Sequence, residues 1–287
     1  MKNSIFRMLS LALLVMLMTG CEKALMNEDE SRDVSDANVF LKFSVFEQVP
    51  FGTRSVQNIT SLCSRLNIAF FQNGTKVKTV SQKQDDASFG DVALTLEEGV
   101  YQIVVIAHNC DGSATITSEE KVTFPSNIVT DTFYYYGDLT VGPSANTYNL
   151  ELTRVVAMFR LELTSPLPSS VSKIRFYYTG GSSTFSPAEG YGCVNSRQTV
   201  MMNVTSGQTV FEVYTMPHEE TDELKMTVTV YDSNDNIVKE HIFEQVPVTR
   251  DRITVYSGDF MDGNASSGHS FNFTAESRWG GTSNYTF

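Results

Sequence analysis

Few side chains in the sequence have the type and spacing that chemistry needs. Four histidines, His108, His218, His241 and His269, are scattered; none stands four residues from another, and there is no His-Glu-x-x-His zinc motif. Gly-x-Ser-x-Gly is absent, so no strand-to-helix turn presents a nucleophilic serine. Asp232-x-Asn234-x-Asn236 opens like a calcium loop. It then fails, because Ile237 stands at the glycine position and Phe243 where the bidentate glutamate belongs. A hairpin turn accounts for it better. Asp85-Asp86 and Glu97-Glu98 are paired carboxylates, but neighbours on a strand point to opposite faces and cannot converge on one bond. Glu219, Glu220 and Glu223 read as solvated loop residues. No catalytic residue, metal site, cofactor or small-molecule substrate is called for, and the chain reads as a non-enzyme.

The cysteines carry more information. Cys21 follows Leu17-Met18-Thr19-Gly20 at the end of an apolar run from Met8 to Met18, with Lys2 and Arg7 ahead of it. That is a basic region, a short apolar region and small residues, in the order of a secretory signal, and too short to span a bilayer comfortably. Leu-x-x-Gly-Cys resembles a bacterial lipobox, in which the nucleophilic thiol takes a diacylglycerol and the chain is cut before it. The alternative is an ordinary signal peptide with a chance cysteine. Several fatty acyl chains, palmitate among them, on one cysteine give stable anchoring where a single chain is marginal. Cys63, Cys110 and Cys193 remain, an odd number for an oxidising compartment. Cys63 and Cys110 share the N-terminal half and form the favoured disulfide pair; three buried free thiols are the alternative. Without Cys-x-x-Cys, zinc is unsupported.

Length and composition bound what these groups sit on. The chain has 287 residues, 41% hydrophobic, with a formal charge of −12. The charge argues against nucleic acid and against electrostatic attachment to an anionic membrane. Beyond residues 1–20, the signal peptide, the length fits two ordinary domains. Residues 21–37 hold Glu28, Asp29, Glu30, Asp33 and Asp36 and few β-branched or aromatic residues, and read as a flexible acidic tether. Glu22, rather than aspartate, follows the lipid cysteine. With the acidic cluster, which resembles surface-export signals of lipoproteins in Bacteroidota-type bacteria, it points to the outer membrane and to surface exposure.

From Val39 onward the period is two. Val39, Leu41, Phe43 and Val45 share a face, and Leu66, Ile68 and Phe70 repeat the pattern before Asn73-Gly74, a strong hairpin signal. Tyr101 to Ala107 is apolar on both faces, as a covered central strand should be. The run Tyr134-Tyr135-Tyr136 reads as a strand with rings alternating between core and solvent. Gly142 to Asn146 breaks the pattern, which places domains at 38–144 and 145–287. Further strands are read over Val155 to Leu163, Ile174 to Tyr178, Val210 to Met216, Leu224 to Tyr231, Ile237 to Phe243 and Ile253 to Tyr256. No stretch sustains a 3.6 period. The halves look like loose copies, and the expected fold is all-β: two β-sandwiches in tandem.

After Phe260 the chain turns rich in Gly, Ser and Asn, then regains aromatics at Phe271, Phe273, Trp279, Tyr285 and Phe287. A hinge with an aromatic end suits a strand donated to a partner, docking by main-chain hydrogen bonds. The alternative is that Phe271 and Phe273 complete the C-terminal sandwich in cis. Exposed aromatics such as Tyr134, Tyr177 or Trp279 leave a carbohydrate-binding surface protein as another class of reading.

Together these features carry a family resemblance. Thr153-Arg154-Val155-Val156-Ala157-Met158-Phe159-Arg160-Leu161 and Pro247 to Phe260, with Thr53-Arg54-Ser55, Leu66 to Phe71 and Gly99 to Val105, resemble the FimB/Mfa-type fimbrial anchor family of Bacteroidota-type bacteria. The resemblance implies transthyretin-like sandwiches and a lipidated outer-membrane protein at the base of a type V fimbria, a pilus used in cell adhesion, with fimbrial subunits as partners by strand addition. In shaft or tip fimbrillins of this kind an Arg-specific protease removes the N-terminal strand; Arg54 is where such a cut would fall here.

Overall fold

The computed structural model describes residues 36–48, 54–261 and 282–286. The first half holds β1 (Val39–Gln48), β2 (Arg54–Asn58), β3 (Arg65–Gln72), β4 (Thr75–Lys83), β5 (Asp91–Leu94), β6 (Gly99–His108), β7 (Thr115–Ser118), β8 (Lys121–Thr123), β9 (Thr132–Val141) and β10 (Asn146–Arg154). Next come β11 (Ala157–Leu163), β12 (Val171–Thr179), β13 (Thr184–Ser186), β14 (Tyr191–Gly192) and β15 (Gln198–Asn203). The chain closes with β16 (Val210–Thr215), β17 (Thr221–Asp232), β18 (Ile237–Thr249), β19 (Ile253–Gly258) and β20 (Thr282–Thr286). Among the described residues there is no α-helix, and the all-β expectation holds.

Alternation along each strand builds the cores. In the first half β2, β1 and β10, with β5 beside β1, form one layer, and β9, β6, β3 and β4 form the other. The layers join at one corner, where β10 meets β9 over only Thr153↔Tyr134 and Arg154↔Phe133. Val39, Leu41, Phe43 and Val45 of β1 face Leu66, Ile68 and Phe70 of β3 and Ile103 and Val105 of β6 in a shared core. The second half repeats the scheme. The sheet β16-β11-β19-β20 faces β15-β12-β17-β18 across Phe159, Leu161, Phe176, Tyr178, Met226 and Val228.

A third core lies between the halves. Ala69, Phe71, Val104 and Ile106, on the far faces of β3 and β6, pack with Ile116, Val122, Phe185, Met158 and Ile253. This explains why Tyr101 to Ala107 is apolar on both sides. A small sheet, β14-β13-β8-β7, is built from both halves, with Phe185 opposite Val122. The tyrosine run is a modest correction. Tyr135 packs on the first core, and Tyr134 and Tyr136 on the third, so no ring stands free in solvent. The hairpins are as read. Asn73 and Gly74 both take positive φ, 52° and 73°, as a tight two-residue turn requires, and Asp232 accepts hydrogen bonds from the backbone of Asn234 and Asn236. Strand β10, beyond the break at Gly142 to Asn146, lies in the first sandwich beside β1, and the chain passes to the second through Val155-Val156.

Candidate assembly site

The first strand occupies a sealed slot. Strand β1 runs parallel to β10, from Val39↔Asn146 to Val45↔Leu152. Its other edge is taken by β5 from Val39↔Leu94 to Lys42↔Asp91, then by β2 from Ser44↔Asn58 to Gln48↔Arg54. Val39, Leu41, Phe43 and Val45 are 0%, 1%, 6% and 2% exposed, so the strand is an inner member of its layer. Arg54 opens β2 opposite Gln48, at the end of the β1–β2 pairing. A cut there would leave β1 held only by its ladders and apolar contacts. Cys21 and the tether up to residue 35 lie outside the described residues.

The opposite end of the chain closes the second sandwich. Strand β20 pairs parallel with β19, Ile253↔Thr282 to Ser257↔Thr286. The Tyr285 ring stacks on Tyr256 at 4.8 Å and joins the second core, 9% exposed. Within the single chain Tyr285 lies in cis on its own sheet, where Tyr256 offers its ring at that edge. Phe271, Phe273, Trp279 and Phe287 lie outside the described residues.

Between these ends sits a charged joint that sequence reasoning missed. Arg154, at the close of β10, donates through Nε to Asp131 Oδ1 at 2.8 Å and through Nη1 to Asp251 Oδ1 at 3.0 Å. Its guanidinium lies 4.6 Å from the centre of the Phe133 ring, and its side chain is 7% exposed. Asp251 takes φ +55° in the turn between β18 and β19, its N–H donates to Val156, and burial raises its carboxyl pKa despite the nearby Arg154. The two stretches that carried the family resemblance, around Thr153 to Leu161 and Pro247 to Phe260, thus meet here. A charge set inside an apolar alternation was the available signal. Beside it Arg250 pairs with Glu220 at 2.9 Å and lies over Tyr191, so Glu220 is tied to the fold rather than simply solvated, and Glu223 belongs to β17.

The expected Cys63–Cys110 pair is not formed. Both are free thiols, Cys63 in the first core and Cys110 in the third, because the layer carrying β3 and β6 lies between those cores. Burial raises both thiol pKa values, and Cys110 donates to the Ile128 carbonyl at 3.1 Å. Cys193 is exposed, unlike its reading as a buried thiol. Of the aromatic platforms, Tyr134 is packed edge-on against Phe185 at 4.9 Å, and Tyr177 is half-buried on β12. Among the described residues no cluster of His, Cys, Asp and Glu could hold a metal ion, and no helix is long and apolar enough to cross a membrane.

The chain belongs to the family of fimbrillin-A associated anchor proteins, Mfa1 and Mfa2, whose model matches residues 28–274. It is therefore a fimbria-associated protein of a structural family, with the cell surface as its setting and fimbrial subunits as its partners. No curated protein sequence matches it. Among solved structures it is similar to a candidate adhesin from Bacteroides ovatus, at 14% identity and TM-score 0.48 over 71% of this chain and 75% of that one. It is similar also to the fimbrial anchor protein Mfa2 from Porphyromonas gingivalis, at 13% identity and TM-score 0.39 over 71% and 80%. A fimbrial assembly protein from Parabacteroides distasonis is 12% identical, TM-score 0.38, over 80% and 92%.

Proposed function

We propose that the protein is a surface-exposed outer-membrane lipoprotein, held by acyl chains on Cys21, that anchors a type V fimbria and keeps its first strand. Family membership carries the fimbrial part of this reading. The seated β1 supports the anchor part: an anchor needs both its lipid and the strand that follows, and removing β1 would bare an apolar slot along β10 that only another strand could fill. The lipobox and acidic tether supply the attachment. Subunits join by strand addition at an exposed sheet edge or by exchange of the C-terminal strand, since among the described residues β20 pairs with β19 alone. The two tandem domains are the first and second sandwiches.

Cys21→Ala tests the attachment. The variant should appear in the periplasm or medium, with fimbriae shed from the cells. A variant that still fractionates with the outer membrane would place the anchor elsewhere. A second reading, a shaft or tip fimbrillin matured by proteolysis, is favoured by the position of Arg54 at the head of β2, where cleavage would free the whole of β1.

A further inference from the structure

We propose that each sandwich is a shear clamp, and that the two clamps stand in series between the N-terminal attachment and the C-terminal strand. The observation is that in each half the opening strand lies parallel to a closing strand. In the first, β1 lies along β10 from Val39↔Asn146 to Val45↔Leu152. In the second, β11 lies along β19 from Met158↔Ile253 to Leu163↔Gly258, and β20 continues the parallel set.

Consider a pull on the two ends of the chain. Force enters β1 at Val39 and leaves β10 at Arg154, its far end. Two parallel neighbours drawn from opposite ends slide along each other, so the evenly spaced bonds of their ladder share the force and must yield together. A hairpin drawn apart at its open end instead loses its bonds one pair at a time. The connection from β10 to β11 is Val155-Val156, both buried, at 1% and 0% exposed. It has no slack, and Arg154 pins it to Asp131 and Asp251. Force leaving the first clamp therefore enters β11 at its N-terminal end and crosses β19 to β20, again in shear. The inner faces resist sliding as well: Val39, Leu41, Phe43 and Val45 are seated in the first core, and Phe159 and Leu161 in the second.

Such construction suits a protein that holds a filament to a surface against drag. Only the source of the force rests on the proposed function; the clamp is a property of the purified chain. The test is single-molecule pulling on a Cys21→Ser form of the chain from residue 21 onward, in reducing buffer, with two placements of the handles. Handles at the two termini load both clamps in shear. Handles at Thr221 and Thr249, opposite each other at the open end of the β17–β18 hairpin, unzip an antiparallel pair. Forced unfolding reports the barrier to unfolding along the pulled direction. The rupture force between the termini should be severalfold the force at the hairpin. Equal forces in the two directions, or gradual peeling from the termini at low force, would overturn the clamp. Either result leaves the lipid-anchor reading to be decided by the Cys21→Ala fractionation.

Discussion

At the scale of single residues His108 is a wholly buried titrating group whose behaviour is set by its partners. Its Nδ1 accepts from the Cys110 N–H at 3.0 Å, so Nε2 carries the proton and donates to Asn67 Oδ1, also at 3.0 Å. A second proton would have no acceptor, and burial lowers its pKa from 6.5 to about 4, with Arg65 adding to the effect. A depressed histidine pKa means that the unfolded chain takes up the proton first. The stability contributed by neutral His108 is full above pH 6.5 and is lost as pH falls from 6.5 towards 4, by up to ~1.4 kcal/mol per pH unit. Urea unfolding at pH 7 and pH 4.5 should show the native chain losing about 2 kcal/mol more than His108→Gln between the two. Parallel pH profiles would mean that His108 is not held neutral. None of this was legible from the sequence, where His108 is one histidine after an apolar run. Its state depends on Asn67 and Cys110, which are brought to it only by the fold. Cys63 and Cys110 make the same point: half-chain membership says nothing about which face of a layer a thiol occupies.

At the scale of elements the local signals served well where the strand carries an alternating apolar face. Strands β1, β3, β6, β17 and β19 were readable from that pattern, as were the Asn73-Gly74 and Asp232–Asn236 turns. Strand β4 was not read, because Thr75-Lys76-Val77-Lys78 presents polar and charged side chains at an outer edge. Charge on an edge strand discourages pairing with other chains and at the same time hides the strand from a hydrophobic pattern. The parallel pairings β1–β10 and β11–β19 were likewise invisible, since their partners are far apart in sequence. Strand β20 is where element and function meet. Truncation after Gly268 removes it and bares the face of Tyr256 on which Tyr285 stacks. The truncated chain should still fold, since the ladders of β11, β16 and β19 remain. It should lose about 2 kcal/mol of stability, the order expected for exposing one large aromatic contact, and bind hydrophobic dyes more strongly. Unchanged unfolding would show that β20 contributes nothing in cis.

At the scale of the whole molecule this fimbria-associated protein holds its first strand in an inner slot, its last described strand at an edge, and a buried ionic joint between. The proposed anchor role requires that the lipid and β1 stay with the mature protein. The most direct measurement is the intact mass of the protein isolated from outer membranes. A chain beginning at Cys21 and carrying acyl chains is the predicted result. A chain beginning at Ser55, without lipid or β1, would contradict it and make the protein a shaft or tip subunit.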